Sequence, residues 1–329
     1  MSAYEIFTSV LPKFFHSQLF FTPKAPTTDC SGKTVIVTGA NTGLGKEAAR
    51  HFVRLNAEKV IIACRNLDKG EAAKKEIASS GASTIIEVWQ LDLQDYDSVK
   101  AFAKRANGLK RLDIVLENAG INTTKFVIAG GNESTITVNV VSTFLLALLI
   151  LPKLQETAKV HNITPNLCIV SSEVHFFTSL PQRKNPSIFG TLNDKAQANM
   201  LGRYNESKML EVLACREIAR EHPISDMRVT LNFINPGLCK SELSREAPAF
   251  LVKVIMLLAR TTEVGGRTLV VAATAGSETH GKYFSDNKVT RCANLVEGPE
   301  GPELQRRVWG ELAEKLEQIE PGVTGVLDA

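Results

Sequence analysis

The chain of 329 residues has six cysteines, and no two of them stand in a CxxC spacing. Cys30, Cys64, Cys168, Cys215, Cys239 and Cys292 are scattered, most of them inside apolar runs. That pattern argues against a zinc site or a disulfide frame and predicts buried free thiols in a reducing compartment. A dense block of Lys and Arg is also lacking, and the net charge is only +3. A nucleic-acid partner is therefore not expected. The longest apolar run, Phe144 to Leu151, is eight residues. A membrane span needs about 20, so a buried core helix is predicted there and no transmembrane span. The first residues include Glu5 and lack a compact apolar core followed by small residues, so no secretory signal is expected and a cytoplasmic protein is. No internal repeat or shift in composition marks a second domain.

What is present is an alternation of short apolar strands and amphipathic helices. Residues 1–30, with Pro12, Phe14, Phe15, Phe20, Phe21, Pro23 and Pro26, read as an irregular arm that packs on the domain. A peripheral membrane or partner contact is its other reading. Strands are predicted at 33–38, 59–64, 84–91, 112–116, 166–170 and 228–234, with a last short one at Tyr283-Phe284. Helices are predicted between them, the longest over 133–157. Alternation of this kind predicts an α/β fold of the Rossmann type: a doubly wound parallel sheet of about seven strands with helices on both faces, in a single domain over 31–290. Residues 291–329 read as a charged C-terminal helix and tail.

The chemistry-bearing residues fall at the C-terminal ends of those strands, where open α/β sheets bind ligands. Gly39-Ala-Asn41-Thr42-Gly43-Leu44-Gly45 follows the first strand and opens a helix. Such a turn lets the backbone approach a pyrophosphate at a helix N-terminus. Its spacing differs from G-x-G-x-x-G. The second strand ends in Cys64-Arg65, where an acid would select a ribose 2′-hydroxyl and an arginine accommodates a 2′-phosphate. NADP(H) is therefore expected over NAD(H). Tyr204 and Lys208 stand four residues apart on a predicted helix, a phenol and an ammonium on one face. A neighbouring cation favours the phenolate, so this pair is a candidate proton-transfer device with a lowered tyrosine pKa. From 239 to 262 an apolar segment containing Phe250–Ala259 suggests a lid, and a greasy lid implies an apolar substrate.

Thr38-Gly39-x3-Gly43-x-Gly45, Asn118-Ala119-Gly120, Asn139, Ser171-Ser172, Tyr204-x3-Lys208 and Pro236-Gly237 occur in the order of the short-chain dehydrogenase/reductase family. The chain resembles that family over about residues 31–290. It is similar in detail to the retinol-dehydrogenase-like branch and to reductases of fungal secondary-metabolite pathways. The resemblance implies a catalytic set. Tyr204 would exchange the proton of the substrate oxygen, and Ser172, rather than Ser171, would hydrogen-bond that oxygen. Lys208 would bind the nicotinamide ribose, and Asn139 would hold a water leading to solvent. It also implies cofactor contacts at the glycine turn, at Asp92 and Leu93, at Asn118, Ala119 and Gly120, and at Pro236 and Gly237. No metal is implied. A homodimer through the Asn139 and Tyr204 helices is implied too. The expected activity is interconversion of a ketone and a secondary alcohol on a hydrophobic small molecule, as a ketoreductase of secondary metabolism. A catalytically silent cofactor-binding protein, or an epimerase or enoyl reductase on the same scaffold, are the other readings. One departure stands out: Glu117 replaces the first Asn of the usual Asn-Asn-Ala-Gly. It is expected to change a structural contact and not the chemistry.

Overall fold

The computed structural model describes residues 10–79, 83–241, 243 and 258–328. The first element is a helix, α1, Leu11–Phe20. Then come β1 (Thr34–Thr38), α2 (Gly43–Arg54), β2 (Lys59–Cys64), α3 (Leu67–Ala78), β3 (Ile85–Gln90), α4 (Tyr96–Asn107) and β4 (Ile114–Glu117). A small hairpin, β5 (Ile128–Ala129) and β6 (Asn132–Glu133), leads into α5 (Ser142–His161) through a π-helical stretch, Thr137–Val141. The chain continues with β7 (Asn166–Val170), α6 (Arg203–Glu221), β8 (Thr230–Asn235), α7 (Thr262–Ala273), β9 (Tyr283–Ser285), β10 (Lys288–Thr290) and α8 (Gly301–Ile319).

The main sheet has eight strands in the order β3-β2-β1-β4-β7-β8-β9-β10. Its first seven strands are parallel, as the sequence predicts, and β10 adds an antiparallel edge by a tight hairpin on β9. Alternate residues of each strand feed opposite layers, because strand side chains point to opposite faces. Val35 and Val37 of β1 join α2 and α7 on one side, while Ile36 joins α4, α5 and α6 on the other. Strand order reverses between β1 and β4, which makes the crevice at their C-terminal ends the natural ligand position.

Two expectations are corrected. Residues 10–20 are helical rather than irregular, and the segment after them is pinned to the domain. Arg260 Nη2 donates to Ser17 O (2.8 Å), Ser17 Oγ (2.9 Å), Phe21 O (3.2 Å) and Asp286 Oδ1 (2.8 Å). Pro12 at the start of α1 explains why a proline did not prevent the helix: its missing N–H is not needed in the first turn. The apolar run belongs to a continuous helical stretch, Ser134–His161, the buried core helix that the sequence predicts. By length and composition it could cross a membrane, but its apolar window is 94% buried inside the fold. The second correction concerns the dimer face. The outward side of α6 is covered within the chain by α8, whose Val308, Trp309, Leu312 and Leu316 are buried. Val212, Leu213 and Ile218 of α6 are buried accordingly, so the apolar surface expected to meet a second copy is already used. All six cysteines are free and buried. Within the expected lid, 244–257 lies outside the described residues. The two ends of that excursion meet, with Lys240 N donating to Arg260 O (2.9 Å) and Arg260 N to Leu238 O (2.9 Å).

Candidate active site

The glycine turn is built by close approach. Gly39 has φ +64°, a left-handed conformation in which a side chain is strained, and its N–H donates to Ala63 O of β2. A Cβ on Gly45 would lie 2.5 Å from Asn118 Nδ2 and 2.7 Å from Gly39 O. Asn118 is locked there. Its Nδ2 donates to Thr38 O (2.8 Å), and the N–H groups of Asn118 and Ala119 both donate to Thr38 Oγ1 (2.9 Å each). Asn118 and Ala119 thus tie the end of β4 to the end of β1. Gly45→Ala is expected to destabilise the protein by about 1–3 kcal/mol, because backbone and a fixed amide must both yield. A lowered urea midpoint with unchanged slope checks this. Thr42, at the N-cap of α2, makes no side-chain cap, so the helix N-terminus keeps its donors and positive dipole end toward the crevice.

The other expected cofactor residues lie along the same sheet edge. Arg65 is exposed directly beyond β2 and makes no hydrogen bond or ion pair with the described residues. Asp92 Oδ1 accepts from Gln94 N (3.0 Å), and Leu93 is buried with its carbonyl accepting from Ser142 Oγ (2.6 Å). Gly120 packs against the Asn139 amide. Gly237, after Pro236, sits against Arg260 and Gln18 of α1.

Ser172, Tyr204 and Lys208 converge where β7 and α6 meet. Ser172 caps the turn after β7, its Oγ accepting from Val174 N (3.3 Å). Ser171 instead is buried, with its Oγ donating to Lys208 O (3.2 Å), so it is the wall and Ser172 the open hydroxyl. Buried His175 steadies Ser172. Nε2 accepts from Ala293 N (3.2 Å), so Nδ1 carries the proton and donates to Ser172 O (2.7 Å). Burial holds the His175 pKa down at about 4, and the ring is neutral. Asn139, fully buried in the π-helical stretch, accepts from Ile121 N (2.9 Å) and donates to Ile121 O (3.0 Å) and Ser207 Oγ (3.0 Å). Both its N–H donors are spent on protein, so the side chain is a tie between the β4 loop and α6.

The lysine differs from expectation. Lys208 Nζ donates to Glu211 Oε1 (2.7 Å) and Val170 O (2.8 Å), and lies 5.6 Å from the Tyr204 ring centroid. Burial pushes the Tyr204 pKa up; Lys208 and a hydrogen bond from Ser172 pull against it, Glu211 reinforces it, and the result stands above the ordinary phenol value. The expected lowering by Lys208 operates but is outweighed. Burial works against the Lys208 charge, yet Glu211 and then Tyr204 outweigh that, and its pKa is raised.

Sequence reasoning missed the acids beneath this lysine. Glu211 is buried and its pKa is pushed up to about 7 by burial against the pull of Lys208. Glu117 is buried beside it, raised well above the carboxylate range by burial and then by Glu211. Glu117 Oε1 and Glu211 Oε2 have no hydrogen-bond partner among the described residues. Two such carboxyls cannot both ionise beside one ammonium. Glu117 therefore does more than alter a contact: it shapes the charge under Lys208. The helical i,i+3 spacing of Lys208 and Glu211 was the available signal. Among the described residues no cluster able to hold a metal occurs.

A cavity of about 890 Å³ is lined in part by Glu173, the residue that follows Ser172 in the chain. Phe14 and Ser17 of α1 form one wall, Glu173 and Phe176 another, and Tyr283 and Asp286 the third. The N-terminal helix was not read from sequence as part of any site.

These features have counterparts in known proteins. A family model described as short chain dehydrogenase matches residues 33–174. Short chain dehydrogenase/reductase dmxR8 of Cryptosporiopsis sp. is 50% identical over 321 residues, covering 94% of this chain and 98% of that one. Short-chain dehydrogenase anuD of Penicillium roqueforti is 43% identical, covering 94% and 84%. Among solved structures, the Pseudomonas aeruginosa RhlG/NADP active-site complex superposes with a TM-score of 0.61 at 20% identity, covering 79% and 97%. The NADP-bound 3-oxoacyl (acyl-carrier-protein) reductase of Agrobacterium tumefaciens C58 gives 0.58 at 20%, covering 78% and 93%. With near-complete coverage of a relative half identical to it, and the turn, crevice and helix pair in place, the chain is an oxidoreductase of the short-chain dehydrogenase/reductase family.

Proposed function

We propose that the protein is an NADP(H)-dependent oxidoreductase that interconverts a ketone and a secondary alcohol on a hydrophobic small molecule, and works as a ketoreductase in secondary metabolism. The observation that carries this reading is the convergence of Ser172, Tyr204 and Lys208 at the sheet edge that carries the glycine turn.

The crevice fits a dinucleotide. A cradle that a Cβ would fill, an uncapped helix N-terminus and a free guanidinium after β2 are the parts a pyrophosphate and a 2′-phosphate need. The turn from Gly39 to Gly45 would hold the diphosphate, Arg65 the 2′-phosphate, and Lys208 the nicotinamide ribose. Bound there, the nicotinamide supplies the hydride. Tyr204 donates the proton to the carbonyl oxygen, and Ser172 hydrogen-bonds that oxygen as charge develops. Burial keeps Tyr204 in its acid form at neutral pH, which suits reduction. Lys208 would turn to the ribose by releasing Val170 O, while Glu211 would keep its charge matched.

NADPH oxidation with a panel of hydrophobic ketones tests the activity; cofactor binding with no ketone turned over would instead favour the silent cofactor-binding reading. Arg65→Ala is expected to raise the Kd for NADPH about tenfold or more and leave that for NADH unchanged, since one charge-assisted contact is worth about 1.5–3 kcal/mol. Fluorescence titration of both cofactors reads it, and an unaltered NADPH Kd removes Arg65 from the phosphate site.

A further inference from the structure

The cavity that Glu173 lines has aromatic walls in Phe14, Phe176 and Tyr283, and two acids, Glu173 and Asp286, stand among its polar residues. Glu173 follows Ser172 in the chain and opens the short 3-10 turn Glu173–Phe177, so the backbone that places the catalytic hydroxyl also places this carboxyl. The Glu173 side chain makes no hydrogen bond and no ion pair with the described residues. Arg260, the cation that acts on Glu173, is already engaged by Asp286 and by the backbone of Ser17 and Phe21. Tyr283 of β9 lines the same cavity, and its hydroxyl is buried and likewise without a partner among the described residues. That ring is fixed by stacking on Phe233 (5.7 Å between centroids) and by the edge contact of His175 (5.0 Å). The two groups sense each other electrostatically: burial and then Glu173 raise the Tyr283 pKa. Burial, then Asp286, raise that of Glu173 to about 7 against the pull of Arg260.

Buried polar groups are hydrogen-bonded in working structures, and the Tyr283 hydroxyl is such a group, while Glu173 is half-buried and opens its carboxyl to the cavity. A carboxylate accepts and a phenol donates, so the group that completes both must donate and accept at once. A hydroxyl does this; an ether, a halogen or a methyl does not. We propose that Glu173 and Tyr283 together recognise a free hydroxyl on the substrate, so that the substrate class is a ring-bearing ketone with a second oxygen carried as alcohol or phenol. The inference rests on the ketoreductase reading for the word ketone, and on the cavity alone for the hydroxyl. Glu173 is a specificity-determining residue here, with the reacting oxygen left to Ser172 and Tyr204.

The test uses the full chain, with and without saturating NADP+. Hydroxy-1-tetralones, with the hydroxyl at each aromatic position in turn, are titrated by calorimetry against their methyl ethers. At least one hydroxyl isomer is expected to bind about tenfold or more tightly than its ether. Glu173→Leu and Tyr283→Phe should each erase most of that preference while the NADP+ Kd stays unchanged. No preference in the wild type, or a preference that survives both substitutions, overturns the proposal. Binding is measured without turnover, so the two readings separate. A hydroxyl preference with no tetralone reduced by NADPH would sink the ketoreductase reading and leave this one standing.

Discussion

Tyr204→Phe is expected to lower kcat for ketone reduction by about 10²–10⁴-fold while leaving the Kd for NADPH within experimental error of wild type. The substitution removes one oxygen and keeps the ring, so packing at the start of α6 is conserved. What is lost is the acid. Ser172 can still hydrogen-bond the carbonyl oxygen, but its hydroxyl titrates far too high to replace a phenol as proton donor. The residual rate should then depend on solvent acid and rise as pH falls. Steady-state kinetics on any ketone the wild type reduces, with cofactor affinity measured in parallel, gives the answer. A loss of only a few fold would remove Tyr204 from the acid role. It would direct attention to the buried Glu117 and Glu211 pair, the other proton-bearing groups close to Lys208.

The largest expected effect on stability lies one residue earlier. Arg203 is fully buried, with Nε 3.5 Å from Glu133 and Nη1 3.5 Å from Glu206, themselves buried. Glu133 caps the turn before the π-helical stretch by accepting from Thr135 N (2.9 Å), and Glu206 accepts from Gln182 Nε2 (2.8 Å). The cluster joins the β6 hairpin, the segment after Ser172 and the start of α6, so it fixes where Tyr204 stands. Arg203→Leu removes the cation and strands two buried carboxylates, at a cost of about 3–5 kcal/mol. The sign with pH follows from Glu206. Burial already raises its pKa, Gln182 and Arg203 pull it down, and losing Arg203 raises it further. The folded state then binds more protons than the unfolded one, so stability falls as pH rises through that value. The deficit in melting temperature should be larger near pH 8 than near pH 5. A deficit independent of pH would mean that Arg203 acts by packing alone.

Much of the fold was legible because it rests on local patterns. The β-branched runs of β1 and β2 and the turn residues between them specify strand, glycine loop and helix without reference to anything distant. Alternating residues such as Val35, Ile36 and Val37 announce a sheet covered on both faces. The candidate residues at strand ends were legible for the same reason. The misreadings share an opposite cause. Pro12 and the paired phenylalanines concealed α1, because only docking through Arg260, some 240 positions later, makes a short amphipathic segment worth ordering. The covered face of α6 was invisible because α8 reaches it from the far end of the chain.

The sequence by itself determined the class of fold, the glycine turn, and the pairing of a phenol with an ammonium on one helical face. Periodicity and spacing are short-range properties, and these features depend on nothing else. Only the tertiary structure decided the electrostatics. Burial, not Lys208, sets the direction of the Tyr204 shift; Glu117 from β4 meets Glu211 from α6; and Glu173, α1 and Tyr283 enclose one cavity. Desolvation and charge coupling depend on what surrounds a group in three dimensions, and those neighbours come from segments far apart in the chain.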